Sequence, residues 1–228
     1  MKRYSFISMM VFAFSAQMSY AQLFEIKDGS KLYDVQIDVQ CEKDSCDGKA
    51  SITLFKKGNK QIFQQFHSDE LTMYLNKQYQ PSVNVVQLYG EQSPLIFEDF
   101  NFDGTEDLAI LIGNYGAYGG PVYDVYVFNK TSKKFVFSSE LSNLTEENLG
   151  MFYVDAKRKR IITFNKSGCC YHISSEYSVV PRKGLRLVRE FIEDAQGGEV
   201  VLVKDRNLIK GKWVEKVKKY PISQYYKD

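Results

Sequence analysis

Short runs in which apolar and polar residues alternate recur from residue 32 to residue 220. The first half of the series is LYDVQIDVQ at 32–40, KASITLF at 49–55, QIFQQF at 61–66, VNVVQLYG at 83–90, DLAILIG at 107–113 and VYDVYVF at 122–128. It continues with KKFVFSS at 133–139, KRIITFN at 159–165, EYSVV at 176–180, LRLVREF at 185–191, EVVLV at 199–203 and KWVEKVKKY at 212–220. Period-two alternation of β-branched and aromatic residues marks strands with one buried face. The polar stretches KKGNK, NKTSKK, DAKRKR and PRKG between the runs read as hairpin turns. Helical turns are expected only in SDELTMYL near 68 and SSELSNLTEENLG at 138–150. The pattern predicts an all-β protein of about a dozen short antiparallel strands. Regular spacing leaves two architectures, a sandwich or barrel and a small propeller, and without an exact internal repeat a propeller is a degenerate one. No Pro-rich or Gly/Ser-rich linker interrupts the series, so residues 22–228 read as one domain.

The first 21 residues stand apart. Lys2 and Arg3 precede the apolar run FISMMVFAFSA, and Ser19-Tyr20-Ala21 supplies small residues at the cleavage positions, the plan of a secretory signal peptide. The run is too short to span a bilayer, and no cysteine follows it to take a lipid. The mature chain is expected to begin at Gln22 and to be periplasmic or secreted, without membrane insertion. Lys2 and Arg3 account for two of the 30 basic residues, so the remaining 28 balance 28 acidic ones, and no basic block suggests nucleic acid. Four cysteines in an exported chain imply two disulfides. Cys41 with Cys46, across CEKDSC, and the adjacent Cys169 with Cys170 are the favoured pairs, with long-range pairings open.

Within EDFNFDGTEDLA, Asp99, Asn101, Asp103 and Asp107 occupy relative positions 1, 3, 5 and 9, with Gly104 between the last two. Oxygen side chains at that spacing suit calcium, with the Thr105 carbonyl at position 7. Position 12 is Ile110 rather than glutamate, and PLIF and LAILIG flank the loop, so it reads as a calcium-binding turn on a β-hairpin. Phe100 and Phe102 are expected to point into apolar packing, and Gly104 to permit the turn. A solvated acidic turn held by Asx hydrogen bonds is the plainer alternative. Three carboxylates within nine residues repel one another without a cation, which favours the metal. The oxygen-only set argues against zinc or copper. The expected role of the ion is structural.

The following GNYGAYGGPVY interleaves Gly113, Gly116, Gly119 and Gly120 with Tyr115, Tyr118 and Tyr123. Tyrosine combines apolar area with a hydroxyl and few rotors, which makes it a common anchor on binding surfaces. This loop is the candidate partner-binding site, and the competing reading has its glycines in a bulge and its tyrosines packed on neighbouring strands. Asp124 sits among strand residues with the ion or a tyrosine hydroxyl in reach. Catalytic signatures are sparse: neither His67 nor His172 sits in HExxH or beside GxSxG. Cys169, Cys170 and His172 admit a thiolate–imidazole reading, but export favours oxidised sulfur. Glu98, Glu106 and Glu176 leave a carboxylate pair for glycoside chemistry open. The chain reads as a non-enzyme.

The segment Asp99-Phe-Asn101-Phe-Asp103-Gly104-Thr-Glu-Asp107-Leu108 resembles the calcium loops of integrin-type FG-GAP propeller blades. Joined to GNYGAYGGPVYDVYVFNKTSKKF, SSELSNL and SGCCYHISSEYSVV, it is similar to bacterial exported proteins related to the periplasmic inhibitors of invertebrate-type lysozyme, over residues 90–192. The resemblance implies a propeller-like β fold, a calcium site in some members, and occlusion of the active-site cleft of a lysozyme or other peptidoglycan hydrolase by a protruding loop. A calcium-dependent cell-surface adhesion or glycan-binding module is the alternative from a different class.

Overall fold

A computed structural model of the chain describes residues 21–181 and 183–226; the expected signal peptide, apart from Ala21, lies outside them. Among the described residues fourteen strands and two short helices follow one another in three antiparallel sheets. The first sheet is a meander of β1 (Ala21–Ile26), β2 (Tyr33–Glu42), β3 (Ser45–Lys56) and β4 (Ile62–Tyr74). The second is a meander of β5 (Leu95–Glu98), β6 (Asp107–Gly113), β7 (Val122–Asn129) and β8 (Lys134–Phe137). After helix α1 (Ser139–Glu147), the third runs through β9 (Tyr153–Asp155), β10 (Arg160–Ser167), β11 (Tyr171–Val180), β12 (Gly184–Asp194), β13 (Val200–Ile209) and β14 (Lys212–Pro221), and α2 (Ile222–Tyr225) closes the chain. The all-β class expected from alternation holds.

The middle sheet separates two cores. In DLAILIG every residue but Ile112 is buried, because alternate side chains leave opposite faces of the strand. Leu108 and Ile110 pack with Val35, Ile37, Ile52 and Leu54 of the first sheet. Ala109 and Leu111 pack instead with Tyr123, Leu141, Leu144 and Ile161, between the middle sheet, α1 and the third sheet. A strand with an apolar run and no alternation is thus the one buried on both sides. Helix α1 also completes β7. Strand β8 pairs only with Tyr126–Asn129, and the preceding edge of β7 is satisfied by α1 hydroxyls. The Tyr123 N–H donates to Thr145 Oγ1 at 2.9 Å and the Val125 N–H to Ser142 Oγ at 2.8 Å.

Two local expectations fail for reasons of pairing. SDELTMYL, up to Tyr74, is the second half of β4 and not a helical turn, with Leu71 and Met73 buried two residues apart opposite Gly48 and Cys46 of β3. The cross-strand ladder overrides a weak helical preference there. VNVVQLYG forms no strand. Asn84, at φ 61°, instead inserts its side chain between backbones, donating to the Gly29 carbonyl at 2.6 Å and accepting from the Phe97 N–H at 2.7 Å. Both favoured disulfides are present, Cys41–Cys46 and Cys169–Cys170, and no free cysteine remains among the described residues, which removes the thiolate reading. No helix among the described residues is long and apolar enough to cross a membrane.

Candidate functional site

The acidic loop joins β5 to β6, which pair from Leu95↔Ile110 to Glu98↔Asp107, so its flanks are strands as expected. Positive φ at Phe102 (60°) and Gly104 (85°) turns the chain twice. Phe100 is buried and meets Phe152 edge-on, with ring centroids 5.4 Å apart, while Phe102 packs half-buried beside it. Asp99 accepts from the Asp103 N–H through Oδ1 at 3.0 Å and from the Gly104 N–H through Oδ2 at 2.8 Å. Asn101 Oδ1 also accepts from Asp103 N–H, at 2.9 Å. Asp103 Oδ1 accepts from the Thr105 N–H at 2.9 Å and from its hydroxyl, with the Lys130 ammonium 3.4 Å away. Desolvation raises the Asp103 carboxyl, but the Thr105 and Lys130 donors outweigh it and hold the group below its ordinary value.

Asp107 does a different job from its neighbours. Its side chain is fully buried and both oxygens are taken by backbone donors: Oδ2 by the Phe100 N–H at 2.9 Å and the Asn101 N–H at 3.3 Å, Oδ1 by the Phe128 N–H at 2.8 Å. One carboxylate therefore ties the start of the loop to the end of β7. Burial pushes its carboxyl up to about 7 despite those three donors. Glu106 secures the other side of the turn to the first sheet, accepting from the Ser30 hydroxyl at 2.7 Å and the Lys31 N–H at 3.2 Å. Among the described residues no group of three or more His, Cys, Asp or Glu side chains is gathered to hold a metal ion. The loop's donor chemistry still matches a hard cation. Asp99 and Asn101 keep lone pairs beyond those used by the N–H groups, and among the described residues the one cation paired with Asp103 is the exposed Lys130.

The tyrosine loop is held shut by its own backbone, with the Gly116 N–H donating to the Gly120 carbonyl at 3.0 Å around a 3-10 turn at Ala117–Gly119. A Cβ at Gly113, whose φ is 154°, would lie 2.6 Å from the Tyr115 ring, so a side chain there would displace that tyrosine. Tyr115 and Tyr118 are 54% and 63% exposed, as a contact surface requires. Tyr123 corrects the expectation. Its ring is wholly buried in the second core and its hydroxyl donates to the Ser93 carbonyl at 2.8 Å, because it occupies the inward position of β7. Asp124, on the opposite face, accepts from the Tyr126 hydroxyl at 3.1 Å.

Tertiary structure adds partners that the loop's own sequence does not show. The Tyr118 hydroxyl accepts from the Gly168 N–H at 2.7 Å, fastening the loop to the β10–β11 turn that carries the Cys169–Cys170 bridge. Lys166 lies over the rings of both Tyr118, at 4.8 Å, and the 72%-exposed Tyr89, at 5.3 Å. Two clefts flank the 88–92 segment, one of about 340 Å³ that includes Leu88, Tyr89, Phe164 and His172, the other of about 350 Å³ that includes Thr72, Gln92, Asn114 and Pro121. Tyr115 stands among acids instead: burial first, then the Glu146, Asp124, Glu70 and Asp69 carboxylates, raises its hydroxyl. The platform thus has a cationic centre at Lys166 and an acidic flank. Nothing in the spacing of Tyr89 and Lys166 marked them; their turn contexts, LYGE and NKSG, were the only local signal. Glu176 is not paired with a second catalytic carboxylate: it is buried between Arg158 at 2.9 Å and Arg189 at 3.0 Å.

No protein-family model matches the chain, and no curated protein matches it. Among solved structures, one described as a Xanthomonas type IV secretion system related protein aligns with a TM-score of 0.62 at 23% identity, covering 84% of this chain and 92% of that one. At that identity the likeness shows the fold alone.

Proposed function

We propose that the protein is an exported, non-catalytic binding protein that inhibits a lysozyme or related peptidoglycan hydrolase through the surface built on Tyr115 and Tyr118. The observation that carries this reading is the fastening of an exposed tyrosine loop to two other segments, by the Gly168 N–H to Tyr118 hydrogen bond and by Lys166 over Tyr118 and Tyr89. Aromatic side chains already ordered before contact lose little entropy on binding, which is what an inhibitory loop needs. An ammonium at the centre of such a platform complements the carboxylates that line a glycosidase cleft. The three successive meander sheets suit a propeller-like arrangement with the sheets as blades. Export is supported by the signal-like N-terminus and by the secretion-system relation of the structural neighbour. The experiment is digestion of purified cell walls by muramidases of each lysozyme type with near-stoichiometric protein added. The Tyr115→Ala/Tyr118→Ala variant is expected to lose inhibition by about 100-fold or more with a nearly unchanged melting temperature, since both side chains are exposed. If no lysozyme is slowed or bound, the inhibitor reading falls; saccharide binding abolished by chelation would replace it with a glycan-binding module.

Calcium belongs to the same proposal as a brace. Asp99, Asn101, Asp103 and the Thr105 carbonyl would hold it, while Asp107, whose oxygens are taken by backbone N–H groups, braces the turn instead of ligating; bound there the ion would supply charge compensation that fixes the β5–β6 turn, at the other end of β6 from the tyrosine loop. At an extracellular-type affinity near 10⁻⁴ M, millimolar calcium contributes about 1.4 kcal/mol, a rise of about 4 °C in melting temperature. Asp103→Ala is expected to erase that rise in a thermal melt with and without calcium. An equal calcium response in the variant would remove the loop as the site.

A further inference from the structure

Strand β14 is the outer edge of the six-stranded sheet, and among the described residues nothing pairs with its far side. Its ten residues match β13 one for one from Ile209↔Lys212 to Val200↔Pro221 with no bulge, around a two-residue turn in which Lys210 and Gly211 have φ 50° and 79°. In such a hairpin the pair flanking the turn is hydrogen-bonded and the pairs then alternate. The N–H and C=O groups of Trp213, Glu215, Val217 and Lys219 therefore point away from the sheet, a row of four free backbone positions.

The two faces of that edge differ. Trp213, Glu215, Val217 and Lys219 share one face, with Trp213 41% and Val217 50% exposed. There Arg206 lies 5.2 Å from the Trp213 ring and pairs with Glu215 at 3.4 Å, which cancels the strand's one acid. Lys212, Lys216 and Lys218 share the opposite face with Val214. Lysines on an open edge oppose pairing with a second copy of the same strand, because they would face their own kind. The same lysines favour a strand of opposite charge.

We propose that the β14 edge is a β-augmentation site for an extended acidic segment of a partner protein, one that alternates acidic with apolar residues. Its backbone would pair with residues 213–219, its acids would lie beside Lys216 and Lys218, and its apolar residues would cover Trp213 and Val217. This surface is separate from the tyrosine platform and stands or falls without it.

Trp213 is the chain's one tryptophan, so its emission reports occupancy of this edge directly. The probe is a peptide of about eight residues alternating glutamate and valine, titrated into the full chain at low salt. A saturable change in tryptophan emission that weakens as salt rises is expected. Val217→Pro removes one outward N–H without touching the ladder to β13, and it should weaken binding about tenfold or more while the far-ultraviolet dichroism is kept. Lys216→Glu/Lys218→Glu should move the preference to a lysine–valine peptide, and this variant decides the matter if the proline variant unfolds. The proposal is overturned by no emission change with the acidic peptide, by equal binding of acidic and basic peptides to the native chain, or by self-association that Val217→Pro abolishes.

Discussion

Replacing Asp107 by alanine is expected to lower the melting temperature by roughly 10 °C, the largest loss for any single polar side chain in the acidic loop. The change leaves the N–H groups of Phe100, Asn101 and Phe128 without their acceptor. A buried donor left unpaired costs about 1–3 kcal/mol, and partial access of water to Asn101 and Phe128 brings the sum to about 4 kcal/mol. Asp107→Asn keeps one acceptor and should lose about half as much. The same residue sets a pH dependence. Its carboxyl titrates about 7 in the folded chain against 3.8 when exposed. The folded state therefore binds that proton more tightly, so the contribution is fully present below about pH 4 and is lost as pH rises through 7. In chelator the native chain should melt higher at pH 5 than at pH 8, and Asp107→Asn should flatten that difference. Asp103 and Asp205, both held below their ordinary values, titrate outside this window. A bound cation favours the ionised carboxylate, so calcium should flatten the slope as well. Melting curves across pH, with chelator and with calcium, check all three statements; a slope that persists in Asp107→Asn would assign it elsewhere.

Tyr123→Ala is expected to destabilise the protein by about 4 kcal/mol, measured by urea unfolding, against about 0.5 kcal/mol for Tyr115→Ala. The ring is wholly buried beside Leu141, Leu144 and Ile161, and truncation opens a cavity while stranding the Ser93 carbonyl. Tyr123→Phe keeps the packing and should cost only about 1 kcal/mol for the lost hydrogen bond. A Tyr123→Ala variant that stayed stable and lost only partner binding would return this residue to the contact surface.

These two residues show where the reading of the chain was sound and where it stopped. The acidic loop was legible because its parts lie within nine residues: Asx acceptors meet N–H donors two to five positions away, whatever the rest of the fold does. What was not legible is that Asp107 is buried and that its second oxygen reaches the Phe128 N–H, a contact that exists only once β6 and β7 pair. Tyr123 shares the motif of Tyr115 and Tyr118 but belongs to the next strand, and strand parity sends it inward. SDELTMYL failed similarly, since its ladder partners in β3 lie 18 to 29 positions away, beyond any local window, and a ladder stabilises a strand that local preference does not.

By itself, the sequence determined what short-range chemistry controls: the all-β class through period-two alternation, the hairpin flanks of the acidic loop, the two short-range disulfides, and α1 within SSELSNLTEENLG. Tertiary structure alone decided which face of each strand meets which core, since alternation states that two faces differ without saying what covers them. It also decided the platform of Tyr89, Tyr118 and Lys166, whose members come from three segments up to 77 positions apart. Contacts at that distance depend on how three sheets stack, and stacking is a property of the summed burial of all their faces.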